Sequence, residues 1–323
     1  MNLPIPYYCQ ICNANTNIVN DNSTQEDKKE LEKSSTNYLW EIWNQRQMKI
    51  KGTNITLMGF SIAAFKTNFY LKELNIMFDG GLSSNFSPSH IFVTHLHSDH
   101  MSNCPWHFDP CKNNNVKFYV PEKCELRFYN FIEASHPFKG FNFLTNQKSE
   151  MSEAYDIVEV TDNSNLELEI KGKKYTLEII RCYHTVRCTS YGLIEKKQKL
   201  KKEFANLKGN EIKELKYKGV EITEIICDPF FLYVGDTSKE ILLDDRLKKY
   251  STIMIECTFL DKNELERANE TKHMHWNYLE NYIENNQHIT FILYHFSSRY
   301  KRSYIDDFFS KISLKNIVIW NCN

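Results

Sequence analysis

No stretch of this 323-residue chain is long, apolar and uncharged enough to cross a membrane as a helix. Met1 to Gln10 carry neither the basic cluster nor the apolar run of a secretion leader. The expectation is a soluble, cytoplasmic protein without a membrane partner. An excess of charge is also missing. Forty Lys and Arg face 41 Asp and Glu, a net of −1, so only a local patch could attract nucleic acid. The ten cysteines lack the regular spacing of a disulfide framework. Cys182, Cys227 and Cys257 stand in or beside apolar runs and read as buried free thiols. Cys9-Gln-Ile-Cys12 is half a zinc knuckle, but no second Cys/His pair follows at suitable spacing, and metal binding there is the weaker reading.

What is present is enough to build a core: 41% of residues are hydrophobic and 14% aromatic. Residues 13–37 are rich in Asn, Ser, Thr and Lys, so residues 1–48 are expected to form a flexible extension, with a short helix from Ser34 to Met48. A catalytic domain is expected over 49–323. Its first strands are predicted at Ile55–Ala64, Asn68–Leu71 and Ile76–Phe78, ending in Asp79-Gly80-Gly81. Helices are predicted at Glu122–Ser135, Glu240–Lys249, Lys262–Asn285 and Ser303–Ile312, which with the strands gives a layered α/β architecture.

Four further apolar runs have the length of buried strands: Ile91–Thr94, Thr176–Tyr183, Phe230–Gly235 and Phe291–Tyr294. A potential metal ligand follows each at once: His95, His184, Asp236 and His295. The strongest signal is His95-Leu96-His97-Ser98-Asp99-His100. In an extended segment His95 and His97 share a side and can grip one ion, while Asp99 and His100 fall where the chain turns and can reach a second. Neutral imidazoles with a carboxylate suit Zn²⁺ that keeps a reactive water. His184 is expected to complete the first site, His295 the second, and Asp236 to bridge the two. A single His after an apolar run is more often a satisfied core residue; the convergence of three such strand ends with the six-residue motif outweighs that reading.

This set resembles the metallo-β-lactamase superfamily and, within it, the short form of ribonuclease Z, the tRNA 3′-endonuclease. The resemblance runs from about Gly59 to the C-terminus. It includes His184-Thr185-Val186, Tyr233-Val234-Gly235-Asp236-Thr237, Ile255-Glu256-Cys257-Thr258-Phe259 and His295-Phe296-Ser297-Ser298-Arg299-Tyr300. A lysine-rich segment, Glu195 to Glu221, interrupts the strand pattern and resembles the protruding RNA-binding arm of that family, here bounded at 195–228. The pattern departs at Leu96, at Ser102-Asn103, and at Arg187 and Cys188, where the family usually has Gly, a Gly pair, and Pro and Ser.

The resemblance implies a four-layer αββα sandwich with a protruding basic arm and two Zn²⁺ per chain, Mn²⁺ or another divalent ion serving as the alternative. It implies a homodimer acting on precursor tRNA or other structured RNA, with activated hydroxide cutting a phosphodiester to leave a 3′-hydroxyl. Asp99 would also orient the nucleophile. His273 would protonate the departing oxygen, with Glu256 keeping it oriented and charged. Arg299, Ser297, Lys196, Lys197, Lys199, Lys201 and Lys202 would contact substrate. Two other readings stay open: a hydrolase of the same fold acting on small cyclic phosphodiesters or lactams, and an RNA-binding protein that has lost catalysis.

Overall fold

The computed structural model describes residues 38–107, 115–135 and 155–323. Residues 42–323 form one compact unit. Cys9 and Cys12, and most of the Asn-rich segment, lie outside the described residues.

Two seven-stranded sheets carry the unit, each in simple sequence order. The first comprises β1 (Gln47–Lys49), β2 (Thr56–Ile62), β3 (Lys66–Leu71), β4 (Ile76–Phe78), β5 (His90–Phe92), β6 (Val116–Pro121) and β7 (Tyr155–Val160). The second comprises β8 (Asn165–Ile170), β9 (Lys173–Arg181), β10 (Thr189–Leu200), β11 (Thr223–Tyr233), β12 (Thr252–Glu256), β13 (Thr290–Tyr294) and β14 (Ile317–Ile319). In both, the first four strands pair antiparallel and the rest parallel. Parallel strands are buried on both faces, which is why β4, β5, β12 and β13 read as continuous apolar runs.

Aromatic side chains from the two sheets interleave. Phe78 stacks on Tyr233 at 4.7 Å, and Phe69 meets Tyr233, Tyr294 and Trp320 at 5.3–5.8 Å. These are favourable offset and edge-on separations, each contributing about 0.5–1.5 kcal/mol beyond area burial. Helix Glu125–Ser135 covers the outside of the first sheet through Phe128, which packs on Phe118. Helices Trp276–Glu284 and Arg302–Ser310 contribute to the core outside the second sheet, where Trp276 packs on Phe309. The result is the αββα sandwich expected from the sequence.

Several boundaries differ from expectation. The helix expected to reach Met48 ends by Asn44, and Gln47–Lys49 pairs with β2 as an edge strand. Glu240–Lys249 forms two 3₁₀ segments, Lys239–Leu243 and Asp245–Lys249, with Asp244 capping the second through the Arg246 N–H. The continuous helix over Lys262–Asn285 is broken: Leu265–Thr271 stops at Lys272, which is left-handed at φ 53°, and a new helix starts at Trp276 under a His275 cap. Cys227 is exposed because it lies on the outward part of β11; Cys182 and Cys257 are buried free thiols. The Lys-rich insertion is a long β10–β11 hairpin that closes over helix Gly209–Tyr217. Glu195 is buried in the sheet, so the solvated part of the arm begins beyond it.

Candidate metal centre

The six-residue motif leaves β5 in extended form and turns at Ser98–Met101, a single helical turn that buries Asp99 and His100. What fixes this loop is Asp79, at the end of the neighbouring strand β4. Its fully buried carboxylate accepts hydrogen bonds from the Thr94 N–H (2.8 Å), the Thr94 hydroxyl (2.9 Å), the Tyr233 hydroxyl (2.8 Å) and His100 Nδ1 (2.8 Å). The last bond assigns the proton of His100 to Nδ1 and leaves Nε2 as a lone-pair donor. Beneath the loop the backbone approaches so closely that a Cβ on Gly81 would lie 1.7 Å from the Asp99 carbonyl oxygen. Only glycine fits there.

The other sheet supplies its groups one strand at a time. His184 follows β9 and donates from Nδ1 to the Lys272 carbonyl at 3.0 Å, freeing Nε2. Asp236 follows β11, and His295 follows β13 in a left-handed conformation at φ 63°. Such a conformation costs a non-glycine residue roughly 1–2 kcal/mol and persists only where the surroundings impose it.

The groups meet in two sets. His95, His97, His184 and Asp236 offer atoms within 4.8 Å of one another, as do Asp99, His100 and His295. His97 Nδ1 lies 3.1 Å from His95 Nε2 and 3.2 Å from His184 Nε2, and the Nε2 atoms of His100 and His295 are 3.2 Å apart. Asp236 Oδ2 lies 3.5–3.7 Å from the inward nitrogens of His95, His100 and His295, so it belongs to both sets. Its Oδ1 is buried without a hydrogen-bond partner. Lone pairs that face one another around an uncommitted buried carboxylate oxygen repel unless a cation takes them up. The nitrogen and oxygen donor set fits a divalent ion of the zinc or manganese type and no soft thiolate-seeking metal, because no cysteine belongs to either set.

Against its burial, Asp236, Asp79 and Asp99 hold His100 well above the ordinary histidine value, so its Nε2 offers a lone pair only to a cation that displaces a proton. Burial opposes a charge on Asp236, but the imidazoles of His295, His100 and His95 hold its carboxyl well below the usual range. Burial keeps His95 well below the ordinary histidine value. Asp99 is likewise held low by His100 and His295 against its burial, and its Oδ2 accepts the Ala64 N–H at 3.0 Å.

His273 lies in the break after Lys272, not on a helix as expected. That break points its ring at the end of β12. Nδ1 is 3.0 Å from Glu256 Oε1 and 3.8 Å from Asp236 Oδ2. Glu256 is fully buried and accepts as well from the Thr237 N–H (2.7 Å) and the Thr258 hydroxyl (2.5 Å). Burial disfavours a charge on His273, yet Glu256 and then Asp236 outweigh it and push the ring up to about 9. His275 instead accepts the Asn277 N–H and lies 2.8 Å from the Asp261 carbonyl.

The expected substrate contacts divide. Arg299 is ion-paired with Glu264 and donates to Ser297 Oγ at 3.2 Å, which leaves Ser297 buried and engaged. Lys196 pairs with Glu167, and Lys197 with Asp228 and Glu195. Lys199 and Lys202 are exposed, Lys201 is half-buried, and none of the three forms an ion pair among the described residues. Reasoning from sequence missed the bracing roles of Asp79, Thr94, Thr237 and Thr258. For Asp79 a signal existed: it too follows an apolar strand directly, as the ligands do.

No protein-family model matches the chain. Among named proteins, it is 28% identical over 272 residues to tRNase Z TRZ1 of Arabidopsis thaliana, covering 81% of this chain and 92% of that protein. It is also 28% identical over 254 residues to the chloroplastic tRNase Z TRZ2 of the same plant, covering 75% of this chain and 67% of that one. Human tRNase Z, short form, superposes with a TM-score of 0.47 at 16% identity, over 75% of this chain and 93% of that one. The two-sheet sandwich, with donors clustered at its strand ends, has the architecture expected from the resemblance to the metallo-β-lactamase superfamily. In sequence the chain is thus similar to the tRNase Z proteins along most of its length.

Proposed function

We propose that this chain is a metal-dependent endoribonuclease that removes the 3′ trailer of precursor tRNA. One observation carries the reading: seven His and Asp side chains from four strand ends gather into two sets that share Asp236, with the His273–Glu256 pair at their edge. The tRNase Z relatives support the substrate class. His95, His97, His184 and Asp236 would hold one divalent ion, and Asp99, His100, His295 and Asp236 a second, with zinc suited to the donors and manganese the alternative. Bound there, such ions would supply Lewis acidity and a water acidified to near neutral pH.

The chain's own groups would do the rest. Asp99, fixed by the Ala64 N–H, would orient the attacking water for in-line approach to phosphorus. His273, its Nδ1 engaged by Glu256, has Nε2 free to give a proton to the departing oxygen. The products would be a 3′-hydroxyl and a 5′-phosphate. Lys199, Lys201 and Lys202 on the arm would attract the RNA backbone without reading its sequence. Lys196 and Lys197 would first have to leave their acidic partners. In the same reading, residues 49–323 are the catalytic domain, 195–228 the RNA-binding arm and 1–48 an extension, and two copies act as a homodimer in the cytoplasm.

The test is incubation of the full chain with a precursor tRNA, with and without chelator, mapping both new ends. Expected is a single cut at the 3′ side of the acceptor stem, abolished by chelation and restored by zinc or manganese. Absence of cleavage, or cleavage indifferent to chelator, would remove the reading.

A further inference from the structure

A second hollow adjoins the metal centre and none of the groups above uses it. Its volume is about 460 Å³, inside the roughly 300–1,000 Å³ range of sites that enclose a small ligand. Leu96, Met101, Cys124 and Val186 give it an apolar lining, beside which stand Lys123, Arg127, Arg187 and one acid, Glu122. The floor is continuous with the centre through the chain itself. Leu96 sits between His95 and His97, Met101 follows His100, and Val186 lies two residues past His184.

Three features mark the rim as more than solvated surface. Lys123 and Arg127 are exposed and form no ion pair among the described residues, so their charges are uncommitted. Lys123 is held left-handed at φ 65° in the turn between β6 and helix Glu125–Ser135, its N–H donating to Glu159 Oε2 at 2.7 Å. Strain of this kind on a lysine, where glycine would be relaxed, gathers at functional positions. Arg187 is clamped by Glu122 and lies 3.5 Å from Asp162, while its buried Nε has no hydrogen-bond partner. The clamp immobilises the guanidinium and leaves one donor unsatisfied.

From this we propose that the hollow is a subsite for one unpaired nucleotide flanking the scissile phosphate. The base would lie on Leu96, Met101 and Val186 and its phosphate between Lys123 and Arg127, with the clamped Arg187 fixing one wall. The apolar lining and the uncommitted cations match the base and the phosphate of a nucleotide, and the volume admits one single-stranded residue but no duplex. The proposal rests on the reading of the centre as a ribonuclease.

The test uses the full chain and a fluorescent single-stranded tetraribonucleotide, with binding read by anisotropy across a salt series. Lys123→Gln/Arg127→Gln is expected to weaken binding at least tenfold and to lower the salt slope by about 0.7, the share of the one phosphate they would hold. A second variant separates binding from folding. Lys123→Gly relieves the left-handed backbone, so its melting temperature should rise while binding still falls. With precursor tRNA the double variant should raise KM and leave kcat within twofold, and hydrolysis of a small chromogenic phosphodiester should stay at wild-type rate. Unchanged tetranucleotide affinity and salt slope in both variants would overturn the subsite, even if wild type cuts tRNA. If wild type binds the tetranucleotide through these residues but never cuts precursor tRNA, the ribonuclease reading fails and the subsite stands.

Discussion

The two sheets deliver their ligands in opposite ways. The first would hand over four, His95, His97, Asp99 and His100, on one loop braced by the buried Asp79 carboxylate and, at Asp99, by the Ala64 N–H. The second would hand over three, His184, Asp236 and His295, each from its own strand end, with His184 and His295 separately supported by the Lys272 carbonyl and the Thr258 hydroxyl. Ligands carried on one short loop move as a unit; ligands on separate strands are lost singly. The architecture therefore predicts different failures for the two halves.

Asp236→Ala should have the largest effect, because it removes the one group common to both sets. Activity on precursor tRNA should fall by about 10³-fold or more, a loss typical of groups that act as a unit. Metal analysis should show both equivalents depleted, whereas His184→Ala should lose chiefly one. Equal retention of metal in the two variants would break the comparison. Asp79→Asn replaces no proposed ligand but loosens the support of His100, and should cost about 10–100-fold in metal affinity, the usual consequence of losing a partner that orients a ligand. A chelator titration followed by activity would measure it, and a wild-type midpoint would mean that the loop is braced elsewhere.

The arm offers the next contrast. Lys199→Gln/Lys201→Gln/Lys202→Gln should weaken tRNA binding by about tenfold and flatten its salt dependence, since each lost phosphate contact removes nearly one counterion from the balance. Turnover of a small phosphodiester should not change; an equal loss on both substrates would place these lysines in the centre. The smallest effect concerns stability. Burial, then the charge of Lys117, lowers His90 to about 4, and its Nδ1 lies 3.2 Å from the Tyr119 hydroxyl. The unfolded ring takes its proton near 6.5, before the folded one does, so stability should decline as pH falls from 6.5 to 4 and level off below. His90→Gln should remove roughly 1–2 kcal/mol of that acid-side decline once solvent screening of a half-buried group is allowed for. Urea midpoints against pH would read it, and identical slopes in variant and wild type would dismiss His90 as the source.

How much of this was legible in the chain follows the same division. The loop motif is contiguous, so its spacing alone announces a metal site. The dispersed ligands became readable only because each sits directly after a short apolar run, a pattern that buried parallel strands impose. The arm was visible as charge where apolar alternation should have continued. Less was visible where conformation departs from residue preference. Nothing about Lys272 announces a left-handed residue, so the helix through it looked continuous and His273 looked exposed. Cys227 sits in an apolar stretch, but that stretch belongs to a hairpin that has left the core. Asp79 was noted as the end of a strand, and its bracing function needs the third dimension: three of its four partners come from the neighbouring loop and the fourth from the opposite sheet.

The interruption at Lys272 has a consequence of its own. The carbonyl that would have continued the helix is spent on His184 Nδ1, and the very next side chain is His273. Two groups with separate duties thus hang from one peptide unit, and a disturbance of either is felt by the other. Replacing both should cost less than the sum of the single losses, so on the proposed reading this short stretch of main chain would be a latch between the first candidate metal set and the candidate proton donor.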